Sequence, residues 1–223
     1  PIIFTKAPSS VIGPCRPIPG HLDPTRSVDY EVELGVIIGK GGRRIAKKDA
    51  FKHVFGYTII NDVTARHLQS RHKQWFLGKS LDGFCPMGPW IVTADEIGNV
   101  RNLRVQTRIN GELRQEGHSS NLRHSVADLI EYITAYMTLN PGDMIWSGTP
   151  KGISHIYPGD QLLVGGPGLV HGPLDHQDVG AQVGQHCGAE HAGSVAAEIQ
   201  YLNPLKRLHE SPKAVKIFPK FCR

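Results

Sequence analysis

No stretch of this 223-residue chain approaches the ~18 uninterrupted apolar residues of a membrane-spanning helix, so no such helix is expected. The start, Pro1-Ile2-Ile3-Phe4, lacks a basic stretch ahead of a long apolar core, and no secretory signal is expected there. It also lacks an initiating Met and reads as a fragment. Cysteine is sparse: Cys15, Cys85, Cys187 and Cys222 lie far apart and form no CxxC pair. Such spacing suits free thiols in a reducing compartment, hence a cytoplasmic protein. Aromatic residues make up 7% and do not cluster with basic ones, so the base-stacking platform of a single-strand binder is missing. The net charge of +5 is scattered, apart from residues 40–48 and 206–220. Nucleic acid is therefore not an expected partner, and the basic balance suits small anionic substrates instead.

Familiar catalytic signatures are also missing. There is no HExxH and no GxSxG. His67 and His72 are five apart, which is not the spacing of a helical zinc pair. Gly78-Lys79-Ser80 looks like the end of a phosphate-binding loop, but Lys73 stands where that loop needs glycine. Lys79 then reads either as an ordinary surface lysine or as a cation that steadies an oxyanion. His186, Cys187 and His191 are metal-ligand types, but they lie in a biased tail without a second matching pair.

What is present points to a globular, turn-rich fold. Apolar residues make up 39% and charged residues 20%, with 25 glycines and 16 prolines. Strands are expected at 32–38, 55–61, 90–93 and 144–146, and a hairpin at 103–116 around Asn110-Gly111. A short helix is expected at 49–54 and a helical turn at 64–71. Ser125 and Asp128 resemble a capping box, after which Leu129, Ile130, Ile133, Tyr136 and Met137 follow helical spacing. Beyond Gly165 the chain is dense in Gly, His, Gln and Asp. Residues 1–164 are therefore expected to form one domain, and 165–223 a divergent, irregular tail.

The most informative segment is Asp29-Tyr30-Glu31-Val32-Glu33-Leu34. Strand alternation puts Glu31 and Glu33 on one face, with Val32, Leu34, Val36 and Ile38 on the other. Adjacent carboxylates raise each other's pKa, and Asp62, ending a second apolar run, would add to the repulsion. A hard divalent cation relieves it. A half-buried strand with an acidic outer face explains the pattern equally well. Ser147-Gly148-Thr149-Pro150 follows a strand and offers a hydroxyl and backbone N–H groups, either as a carboxylate site or as a plain turn.

Asp29-Tyr30-Glu31-Val32-Glu33-Leu34, Asn61-Asp62-Val63-Thr64-Ala65-Arg66, Gly78-Lys79-Ser80, Asn110-Gly111-Glu112 and Ser147-Gly148-Thr149-Pro150-Lys151-Gly152 together resemble the fumarylacetoacetate hydrolase family over residues 1–163. The resemblance implies a mixed α/β, mainly β fold: a β-sandwich or β-roll with a few short helices. It implies a homodimer and one Mg²⁺ (or Mn²⁺) held by Glu31, Glu33 and Asp62. Arg66, Gln69 and Lys79 match positions that support the transition state, and Thr149, with Gly148, matches a substrate-carboxylate contact. Members hydrolyse, decarboxylate or isomerise 2-oxo (enol) acids, with C–C cleavage through a metal-stabilised enolate. A catalytically inert metal-binding relative is the competing reading. Its motives are a catalytic lid segment expected upstream of Ile2, His67 at a position usually Asp, and a closing strand unmatched after Gly165.

Overall fold

The computed structural model describes residues 1–166 and the backbone of residues 187–188. Its strands are β1 (Val11–Ile12), β2 (Val28–Asp29), β3 (Val32–Ile38), β4 (Val54–Asn61), β5 (Thr64–Ala65), β6 (Cys85–Thr93), β7 (Arg104–Ile109), β8 (Glu112–His118), β9 (Met144–Trp146), β10 (Gln161–Gly165) and β11 (Cys187–Gly188). The α-helices are α1 (Arg66–Arg71), α2 (Phe76–Lys79), α3 (Ala94–Ile97) and α4 (Val126–Tyr136). One sheet runs β1-β6-β4-β3-β9, a second β11-β10-β7-β8, and β2 pairs with β5. The expected strand-dominated mixed α/β fold with few short helices is what forms. Among the described residues no helix is long and apolar enough to cross a membrane.

β3 is an interior strand of the five-stranded sheet, flanked by β4 and β9. All seven of its residues are buried, so neither face meets solvent. Val32, Leu34, Val36 and Ile38 enter a core with Tyr57 and Ile59 of β4 and Leu129, Ile130 and Ile133 of α4. A second core gathers Tyr30, Val63, Ala65, Phe84, Ile109, Ile156 and Leu162. The acidic residues therefore sit between apolar anchors: Tyr30 and Val32 flank Glu31, and Val63 follows Asp62. Burying such side chains contributes about 1.5–3 kcal/mol each, enough to hold the intervening backbone fixed.

Local signals act where expected. Asn110 and Gly111 both adopt positive φ, 51° and 85°, as a two-residue hairpin turn demands. The capping box closes: Ser125 Oγ accepts from Asp128 N–H at 3.2 Å, and Asp128 Oδ2 accepts from Ser125 N–H at 3.0 Å. Three readings change. The helix expected at 49–54 is a 3₁₀ helix, Lys47–His53. The helical turn at 64–71 begins as β5, because Thr64 and Ala65 pair with Asp29 and Val28. Tyr136 and Met137 leave the apolar stripe, at 68% and 47% exposed. Tyr136 packs instead edge-on against Tyr132, and Met137 has already turned to extended backbone. The expected tail, with its His186 and His191, lies outside the described residues.

Candidate metal centre

Antiparallel pairing explains how acids about thirty residues apart in sequence meet. Val32 pairs with Asn61, and one step further Asp62 N–H donates to Glu31 C=O at 2.8 Å. Asn61 Oδ1 accepts from Glu31 N–H at 2.9 Å, locking the corner. Carboxylate oxygens of Glu31, Glu33 and Asp62 come within 4.8 Å of one another. They are 6%, 4% and 0% exposed, which removes the alternative of a solvated acidic face.

Cations surround two of the three. Lys79, 2% exposed, donates to Glu31 Oε2 at 2.9 Å and Asp62 Oδ2 at 2.6 Å. Lys6 donates to Asp62 Oδ1 at 2.7 Å and to Val63 C=O at 2.8 Å. Arg66 Nη2 donates to Glu31 Oε1. Glu33 differs. Among the described residues no cation pairs with it, and its Oε2 accepts only Gly148 N–H, at 2.7 Å. Burial first, then the charges of Asp62 and Glu31, push its carboxyl up to about 8. A carboxyl buried beside two others and short of a cation fits a divalent ion, and an all-oxygen donor set suits a hard one.

The Glu33 shift makes a testable statement about the metal-free protein. Native Glu33 keeps its proton until about pH 8, whereas an ordinary glutamate, near 4.5, has already lost it. Between those values the native state binds more protons than the unfolded state, so stability falls as pH rises. Denaturant midpoints in EDTA should therefore decline from about pH 5 to about pH 8, and Glu33→Gln should flatten the decline.

Neighbouring elements deliver the remaining side chains. Lys79 closes α2, and Gly78 lets α2 press against α1: a Cβ there would stand 2.5 Å from Gln69 N and 2.8 Å from Ala65 O. Ser80 Oγ accepts Ala7 N–H at 3.0 Å, seating the residue after Lys6. Gly148 turns with φ +85°, a conformation that favours glycine, and so aims its N–H at Glu33. Gln115, fully buried, ties the Thr149 turn to β3. Its Nε2 donates to Thr149 Oγ1 at 2.8 Å and Pro150 C=O at 2.9 Å, while its Oε1 accepts Val32 N–H at 3.1 Å. Gln69 Oε1 accepts from Arg66 Nη1 at 3.1 Å.

The structure thus joins Glu31, Glu33, Asp62, Lys79, Arg66, Gln69 and Gly148 through direct contacts, and Thr149 through Gln115. His67 gives its backbone N–H to Ser27 Oγ at 2.9 Å. Lys6 was missed as a site residue: nothing in its local sequence marks a lysine that crosses 56 positions to reach Asp62. Burial lowers its pKa against the pull of Asp62. Asn61 and Gln115 were missed too, since polar residues inside strand patterns carry no periodic signal.

The profile of the fumarylacetoacetate (FAA) hydrolase C-terminal domain matches residues 1–199. The chain belongs to the fumarylacetoacetate hydrolase family. The match continues past residue 163, where the recognisable sequence blocks end. The chain is 53% identical over 153 residues to oxaloacetate tautomerase YisK of Bacillus subtilis strain 168, covering 69% of this chain and 51% of that protein. It spans about half the length of the curated relatives it matches. A fumarylacetoacetate hydrolase structure from Exiguobacterium antarcticum superposes with a TM-score of 0.76 at 43% identity, covering 85% of this chain and 66% of that one. A 2-hydroxyhepta-2,4-diene-1,7-dioate isomerase from Mycobacterium marinum superposes at 0.69 with 39% identity, covering 74% and 64%. The family's relatives of this chain thus include a hydrolase, an isomerase and a tautomerase.

Proposed function

We propose that this chain carries the catalytic centre of a divalent-metal-dependent enzyme that enolises a 2-oxo dicarboxylic acid, with oxaloacetate as the first candidate substrate. The observation that carries this reading is the buried Glu31, Glu33 and Asp62 cluster with Lys79 bridging two of its members. The 53% identity to an oxaloacetate tautomerase supports this choice of substrate class.

Glu31, Glu33 and Asp62 would hold Mg²⁺ or Mn²⁺, which when bound supplies Lewis-acid polarisation of a 2-oxo carboxylate. The protein groups do the rest. Lys79 uses two of its three N–H donors on Glu31 and Asp62, leaving one for substrate oxygen. Arg66 uses three of five, on Asp29, Gln69 and Glu31, and keeps two. These charges oppose the negative charge that grows on substrate oxygen as a carbon-bound proton leaves, and they are fixed beforehand by the carboxylates. Ser147 N–H and Gly148 N–H in the Ser147–Thr149 turn are taken up by Leu34 C=O and Glu33, so the turn would offer the substrate's distal carboxylate the Thr149 hydroxyl, which accepts from Gln115 and keeps its own O–H to donate. Phe4, whose ring centroid lies 5.1 Å from Lys79 Nζ, covers that ammonium with an apolar face. The same charges would steady the enolate left behind when the 2-oxo acid loses CO2, or when water adds to a second carbonyl and the C–C bond breaks, so decarboxylation or hydrolysis would draw on the same groups.

The test is the ultraviolet band of enol-oxaloacetate. With saturating Mg²⁺ or Mn²⁺ the protein should accelerate its decay, EDTA should abolish the effect, and metal should restore it. An acylpyruvate panel separates tautomerisation from C–C hydrolysis. A metal-saturated protein that accelerates neither would favour an inert relative. The proposal includes a homodimer, to which the exposed Ile2, Ile3, Phe76 and Leu77 are suited, and light scattering reads the mass directly.

A further inference from the structure

Arg66 is held by three acceptors on three different nitrogens. Asp29 Oδ2 accepts from Nε at 2.6 Å, Gln69 Oε1 from Nη1 at 3.1 Å, and Glu31 Oε1 from Nη2. Gln69 shares α1 with Arg66, and Glu31 belongs to the carboxylate cluster. Asp29 is neither, and it is 5% exposed. Its second oxygen, Oδ1, meets His155 Nδ1. The backbones reinforce the pair: Asp29 and His155 form an isolated antiparallel bridge, and Ile156 N–H donates to Val28 C=O at 2.9 Å.

We infer that Asp29 is a positioning residue for Arg66, and that His155 positions Asp29. The inference rests on the functional reading above, in which Arg66 faces substrate. A guanidinium is planar, and acceptors at Nε, Nη1 and Nη2 define both its plane and its rotation within that plane. Without Asp29, Nε loses its charged acceptor. Arg66 then hangs on Glu31 and Gln69 at its far end, and the two unengaged N–H groups lose their fixed direction. Small displacements of such groups weaken their hold on a transition state more than on a ground state.

His155 closes one end of a longer seam. The loop after β9 is stitched along the segment 29–33, directly and through Gln115 of β8. Gly148 binds Glu33, Gln115 binds Thr149, Tyr30 Oη donates to Gly152 C=O at 2.7 Å, and His155 meets Asp29. An ionised Asp29 accepts only, so the Nδ1 that meets it carries the proton. The imidazole is 43% exposed and faces a cleft of about 360 Å³ lined by Asn110, Arg114, Tyr157 and Asp160. Its removal therefore leaves the carboxylate cluster closed.

The experiment is a mutant cycle on the full chain with saturating Mg²⁺ and the oxaloacetate assay. Asp29→Asn keeps shape and one acceptor but removes the charge. It should lower kcat by about 10- to 100-fold, as loss of an orienting partner does, with KM changing much less. In an Arg66→Ala background the same change should cost nothing further. His155→Phe should follow the same pattern with a smaller loss. Equal losses in both backgrounds would mean that Asp29 serves the fold generally, and the inference would fall. It would fall equally if Asp29→Asn kept wild-type kcat. A second readout needs no turnover: the Arg66 Nε–H proton signal should be protected from exchange in the wild type and exposed in Asp29→Asn. If the wild type enolises nothing, the functional reading fails alone. The Nε–H signal still decides whether Asp29 holds Arg66, since undiminished protection in Asp29→Asn overturns that.

Discussion

Glu33→Gln should uncouple metal binding from folding. Glu33 is the one member of the cluster without a described cation partner, and its carboxyl is raised to about 8, so in metal-free protein near neutral pH it already carries a proton. Glutamine resembles that neutral form and can still accept Gly148 N–H. Metal-free stability should therefore match wild type below about pH 4.5 and exceed it by a growing margin from there to about pH 8, because the unfolded wild-type glutamate gives up a proton that the native carboxyl retains. Metal is another matter, because one of three anionic ligands is gone. Mg²⁺ or Mn²⁺ affinity, read by calorimetry, should fall at least about 10- to 100-fold, and the metal-induced rise in Tm should shrink accordingly. Asp62→Asn should behave in the opposite way. Asp62 is fully buried between Lys6 and Lys79, and breaking one side of a buried ion pair costs about 3–5 kcal/mol with no metal present. Equal metal affinity in wild type and Glu33→Gln would remove the cation from this site.

Lys79→Met should separate stability from catalysis. In metal-free protein Lys79 is the positive charge between Glu31 and Asp62, at 2.9 and 2.6 Å. Removing it leaves two buried carboxylates facing each other, at a cost of about 3–5 kcal/mol, or roughly 6–20 °C in Tm for a chain of this size. A divalent ion supplies positive charge at the same oxygens. Saturating Mg²⁺ should therefore recover much of the lost Tm, even slightly more metal being bound at equal concentration because a competing cation is gone. Activity should not recover. If the third N–H of Lys79 supports substrate oxygen, kcat remains down by about 10²–10³-fold with metal saturated. Lys79→Arg should restore more stability than rate, since its planar fork cannot reproduce a point charge over Phe4. Full kcat in metal-saturated Lys79→Met would reduce Lys79 to a structural counter-ion.

Much of this was legible in the chain itself, for local reasons. Alternation in 31–38 assigned Glu31 and Glu33 to one face and Val32, Leu34, Val36 and Ile38 to the other, because a strand offers only two faces. Asn110-Gly111 specified its hairpin because both positions need positive φ, and Ser125 with Asp128 specified the start of α4 because unpaired N–H groups need acceptors nearby. The misreadings share one cause. Thr64 and Ala65 are strand because β2 lies beside them, and Tyr136 is exposed because α4 ends there; neither neighbour is visible from within the segment.

Residue type and order by themselves determined the sheet-rich class, the turns and the presence of several acids able to converge. Only tertiary structure decided what those acids meet. Lys6 and His155 reach Asp62 and Asp29 across 56 and 126 positions, and Glu33 is left without any described cation. Such distinctions depend on which charges share a dry volume of a few ångströms, and Coulomb energy depends on separation in space and on the surrounding dielectric, neither of which is written along the chain.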